Sequence, residues 1–155
     1  MKTTITLLSF FIWTLTFYAQ TDKIILDIDQ ATNEIKSKIS SFRKIEKINN
    51  SEGSRFVFLK DKELQLITVQ QIGPDVEKNV EWYYINGVLT YSETKWLDKK
   101  SQQIVFNEKE YLRNGHLIAW INSENKLVDS TRLEFKTIDT ALAAYGIEIK
   151  NEALK

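Results

Sequence analysis

The chain has 155 residues, with five Gly, one Pro, no Cys and one His; 43% of it is hydrophobic and 12% aromatic. That composition suits one globular domain and excludes collagen-like, low-complexity and wholly disordered chains. The absence of cysteine excludes a disulfide framework, a zinc-thiolate site, a Cys nucleophile and an acyl-anchored lipoprotein, and the balance of 21 basic against 21 acidic residues leaves no net field to draw in nucleic acid.

Lys2 and the apolar run from Ile5 to Tyr18 predict a signal peptide over residues 1–19, cut at Ala19/Gln20. The run of about 14 residues is short of the roughly 20 that span a bilayer. Its FYAQT ending resembles export signals of Gram-negative bacteria, which implies a periplasmic or secreted protein. Cleavage removes one lysine and no acid, so residues 20–155 carry 20 basic and 21 acidic groups, a net charge of −1. No second apolar stretch of spanning length follows.

Ile28, Ala31, Ile35, Ile39 and Phe42 recur at spacings of three and four, predicting a helix from Asp27 to Lys44, with Asp27 and Gln30 as a capping box. Asn49 to Gly53 reads as a loop. From Ser54 to Asn122 the period shifts to two. Strands are predicted at Ser54–Lys60, Glu63–Gln71, Asn79–Ile85, Val88–Trp96, Gln103–Arg113 and His116–Asn122. Asn86-Gly87 and Asn114-Gly115 are dipeptides that accept positive φ at both centres of a type I′ turn, and Asp61-Lys62 is a weaker version. Thr131 and Glu134 form a second potential capping box, before a stripe of Phe135, Ile138, Leu142 and Tyr145. A second helix is therefore predicted over Thr131–Tyr145, with Gly146 as its C-terminal cap and Ile147–Lys155 as an edge strand or a frayed tail. The expected class is α+β: an N-terminal helix, about six strands in an antiparallel meander and a C-terminal helix, with the helices packed on one face of a single domain, residues 20–155.

Phe58-x-x-Asp61-x-x-Leu64, Tyr83-x-x-Asn86-Gly87-x-Leu89 and Tyr111-x-x-Asn114-Gly115-x-Leu117 share one aromatic-to-leucine offset and predict three successive hairpins. These tandem elements resemble degenerate MORN-type repeats of bacterial exported proteins and the sheets of small uncharacterised periplasmic proteins. The likeness spans Phe56 to Trp120. It implies a binding or scaffold role and brings no catalytic residue.

His116 follows the Asn114-Gly115 turn, where a side chain faces water, and no nucleophile elbow accompanies it. One His and no Cys do not suit zinc, and with five glycines neither a phosphate loop nor a dinucleotide fingerprint occurs. No cofactor is expected. The candidate binding residues are Trp82, Tyr83, Tyr91, Tyr111 and Trp120, which form either a cross-strand ladder or an exposed patch. Two readings follow. One is an exported, non-catalytic module binding a protein, glycan or apolar ligand through its sheet face or sheet–helix cleft, or serving an envelope assembly. Pairing through an exposed edge strand, with a partner or with a second copy, belongs to this reading. The other is an extracytoplasmic hydrolase built on Glu81, Glu108 and Glu110.

Overall fold

A computed structural model of the chain describes residues 21–155. The expected signal peptide and its cut at Ala19/Gln20 lie outside them. Helix α1 is already formed at residue 21 and runs to residue 38. Asp27 is therefore inside the helix, and the capping box it was expected to make with Gln30 does not form. The helix stops six residues before Lys44. A 3-10 turn, Ile39–Ser41, closes it, with the Ser41 hydroxyl donating to the Lys38 carbonyl.

Seven strands follow: β1 (Arg43–Asn50), β2 (Gly53–Lys60), β3 (Glu63–Ile72), β4 (Val76–Ile85), β5 (Val88–Asp98), β6 (Ile104–Arg113) and β7 (His116–Ile121). Each pairs antiparallel with its predecessor, in spatial order β1 to β7. The class is α+β, as the elements predicted. The additional strand is β1, largely exposed and offset by a bulge at Lys47. The bulge sets Ile45 and Ile48 three residues apart, the spacing of a helix, so alternation is lost there. The expected Asn49–Gly53 loop is the turn into β2, where the Asn50 side chain accepts from the Glu52 and Gly53 amides. Lysines and a bulge on the free edge of β1 are features that oppose edge-to-edge pairing.

The three repeated hairpins share one backbone. Asp61-Lys62, Asn86-Gly87 and Asn114-Gly115 all have positive φ, between 52° and 81°, as a type I′ turn requires. In each, the aromatic pairs with the residue eight positions on: Phe58 with Leu66, Tyr83 with Tyr91 and Tyr111 with Ala119. The next residue pairs with the repeated leucine, so one extra residue (Gln65, Thr90 or Ile118) bulges out directly after that leucine. The bulge reverses side-chain parity, and aromatic and leucine finish on opposite faces of the sheet.

Both faces are therefore apolar. Ile28 and Ile35 of α1 pack with Leu66, Tyr83, Tyr91, Tyr111 and Ala119 on one side. The other side carries Val57, Ile67, Val80, Trp82, Tyr84 and Leu112 under the last helix, α2 (Leu133–Ala153). The helices were expected on one face; they cover opposite faces, making a helix–sheet–helix sandwich. Between β7 and α2 the chain doubles back along the outer edge of β7, where the Val128 amide donates to the Trp120 carbonyl.

Helix α2 departs from expectation at both ends. Thr131 donates its amide and hydroxyl to the Asp129 carboxylate, so the Thr131–Glu134 capping box does not form and the helix starts at Leu133. Gly146 is not a terminal cap. The helix continues to Ala153, and Ile149 and Ala153 are buried where an edge strand or frayed tail was expected. A glycine mid-helix is unfavourable by about 1 kcal/mol relative to alanine, and here the reason is close approach. A Cβ on Gly146 would stand 2.9 Å from Leu89 Cδ2 and 3.2 Å from Leu89 Cβ, and the Tyr84 hydroxyl donates to the Gly146 carbonyl at 3.1 Å. Gly146→Val is accordingly expected to lower unfolding free energy by about 2 kcal/mol, the usual scale of core overpacking. Urea denaturation checks this; an unchanged or raised midpoint would refute the close-approach account.

Candidate functional site

Register assigns the sequence-predicted residues to two sides of the sheet. On the α1 side, Tyr83, Tyr91 and Tyr111 are 0, 4 and 2% exposed. Their rings form a tilted ladder, with centroids 5.5 Å apart from Tyr83 to Tyr91 and 5.1 Å from Tyr91 to Tyr111. These three candidate binding residues lie in the core beneath α1 and form the cross-strand ladder, not an exposed patch. Burial first, and neighbouring carboxylates second, hold all three phenols well above their ordinary pKa, so they stay neutral. Tyr83 donates to Glu81 at 2.8 Å and Tyr111 to Asp29 of α1 at 3.0 Å. Glu93 is 4% exposed, with Lys95 at 2.9 Å and Lys36 of α1 at 3.4 Å. Lys36 also reaches Glu81 at 3.4 Å. This network ties α1 to the sheet over the tyrosine ladder.

The α2 side is different. Trp82 pairs with Ser92, Ser92 with Glu110, and Glu110 with Trp120, so these four residues make one row across β4 to β7. The next row outward is Val80, Thr94 and Glu108. Over these rows, the Ile138–Tyr145 stretch of α2 leaves a cleft of about 280 Å³ between helix and sheet. Trp82 meets Tyr145 edge-on at 6.0 Å and 64°, forming its aromatic wall. Ser92, Thr94 and Glu110 line the sheet surface, and Arg55 and Lys78 contribute cationic side chains. Trp120 lies beyond the cleft, packed on the cluster of Leu117, Val128 and Phe135.

Glu110 is the chemically distinctive group of the cleft. It is 7% exposed, and its Oε2 is buried without a hydrogen-bond partner among the described residues. Burial pushes its pKa up to about 7; Ser92 bonding opposes the rise and the charges of Glu108 and Glu93 add to it. Glu108 is also raised by burial, against the pull of the Ser123 amide and the Trp120 side chain, but it does not line the cleft. Glu81 is on the other side of the sheet, paired with Glu93. The three glutamates of the hydrolase reading are therefore not gathered into one site. His116 is exposed, 3.7 Å from Asp139, whose carboxylate accepts from the Leu117 amide.

Ser92, Thr94, Arg55 and Lys78 were not singled out by sequence, and Tyr145 was read only as part of the apolar stripe of the second helix. Ser92 and Thr94 carried a usable signal, since both alternate with Tyr91 and must face away from it. Arg55 and Lys78 required the register of β2 through β4. No helix among the described residues is long and apolar enough to cross a membrane. No protein-family model, curated protein or solved structure matches the chain.

Proposed function

We propose that this protein is a non-catalytic binding module that holds a small ligand in the cleft between α2 and the sheet. The observation that carries the reading is the buried, unpartnered Glu110 oxygen at a cleft walled by Trp82 and Tyr145. An unsatisfied buried acceptor costs about 1–3 kcal/mol, and apolar walls with a few convergent polar groups are the usual make-up of a small-molecule site. The volume is near the lower end of such sites, which suits a compact ligand. The module is exported to the periplasm or beyond, a reading that rests on the N-terminal apolar run. Kinship with the MORN-like exported proteins, and with it a scaffold or envelope-accessory setting, is supported by the common turn and bulge of the three hairpins.

Trp82 provides the test. Titration of the full chain with envelope extract fractions and a small-molecule panel is expected to shift tryptophan emission. The shift should disappear in Trp82→Phe and in Leu142→Trp, which fills the cleft. A shift that survives both substitutions would place binding elsewhere and overturn the proposal.

A further inference from the structure

The cleft holds two buried polar atoms without partners among the described residues, and they are of opposite kind. Glu110 Oε2 is an acceptor, whereas Arg55 Nε is a donor. The Arg55 guanidinium is held by α2 through Glu152, whose Oε2 is 3.4 Å from Nη1, which leaves the Nε–H uncommitted. Lys78 adds a second cation to the same lining. Arg55 is on β2 and Glu110 on β6, four strand spacings or about 19 Å apart at the backbone. Apolar surface from Val80, Trp82, Leu142 and Tyr145 also lines the cleft.

We propose that the ligand is a small zwitterion whose ammonium end rests on Glu110 and whose anionic end faces Arg55 and Lys78, with an apolar or aromatic body between them. This rests on the cleft being the binding site. An ammonium donates to Glu110 Oε2, the acceptor of the cleft lining that no described group satisfies, and an anion accepts from the uncommitted Arg55 donor. Both contacts are charge-assisted, the stronger class of hydrogen bond. The backbone separation of the two partners favours charges set at opposite ends of the ligand over both on one carbon, as in an α-amino acid. A uniformly anionic ligand would bring its charge to Glu110, and a uniformly cationic one would meet Arg55 and Lys78; like charges in such close quarters disfavour both.

The test uses three matched probes on the full chain: 4-(aminomethyl)benzoate with both ends, benzylamine with the cation alone and 4-methylbenzoate with the anion alone. Calorimetric titration at pH 8, where the Glu110 carboxyl is ionised, is expected to show the two-ended probe binding at least about tenfold more tightly than either fragment, the scale of one charge-assisted contact. Glu110→Gln should abolish its advantage over 4-methylbenzoate, and Arg55→Gln its advantage over benzylamine. The proposal is overturned if a fragment binds as well as the two-ended probe, if its advantage survives Glu110→Gln, or if it does not bind. Where other panel compounds still shift Trp82 emission, only the ligand class fails. Where none does, the cleft fails as a site as well.

Discussion

Tyr91→Ala is expected to cost about 4 kcal/mol of unfolding free energy, read from urea denaturation followed by circular dichroism. Tyr91 is 4% exposed and sits between Tyr83 and Tyr111 in the ladder under α1. Removing a buried aromatic ring forfeits its transfer free energy and leaves a void, together about 3–5 kcal/mol. Two tilted ring contacts are lost as well, each worth about 0.5–1.5 kcal/mol beyond area. Against a total of about 5–15 kcal/mol for a typical domain, the variant stands near the edge of folding. Tyr91→Phe keeps the ring and should stay within about 1 kcal/mol of the parent. A loss as large as that of the alanine variant would mean that the hydroxyl, not the ring, is what matters.

The second large effect depends on pH. The Glu110 proton is held to about pH 7 in the folded chain, whereas an unfolded glutamate releases it near 4.5. Between those values the folded state binds more protons than the unfolded state, so stability falls as pH rises. The contribution is fully present below about pH 4.5 and is lost as pH passes through about 7. At 1.36 kcal/mol per pH unit the swing is about 3 kcal/mol. Glu110→Gln removes the titration. Its urea midpoint should exceed that of the parent at pH 8, and the gap should narrow toward pH 4.5. A constant offset between the two proteins across that range would show that Glu110 titrates normally.

Legibility differed along the chain for identifiable reasons. Between Ser54 and Ile121 the turn dipeptides and β-branched or aromatic residues are dense, and all six strands expected there formed. Most of their limits moved by a residue or two; β4 began three residues early, at Val76, where polar Glu77, Lys78 and Asn79 carry no apolar period. Strand β1 was hidden because Lys47 bulges out and almost none of the strand is buried. The helices were assigned to a shared side because a period of two conceals the parity flips after Leu64, Leu89 and Leu117. Gly146 was read from local propensity, and the deciding contact is with Leu89, 57 positions earlier in the sequence.

The candidate site was half visible. Trp82 was marked as an aromatic binder and Glu110 as a hydrolytic carboxylate, two separate lines of thought. Only the pairing of both with Ser92 places them in one row. Tyr83 shares a strand with Trp82 yet belongs to the opposite side, which no count of aromatics reveals.

The unbroken meander has a bearing on how the chain acquires its shape. Every strand meets the one synthesised just before it, so each ring closure is short and its entropy cost small. Hairpins can add one after another, each new one templated on the last. Helix α1 must wait for β6, because its anchor from Asp29 to Tyr111 bridges 82 positions, and α2 closes a span of 97 positions from Arg55 to Glu152. Until α1 settles, the tyrosine ladder lies open to water.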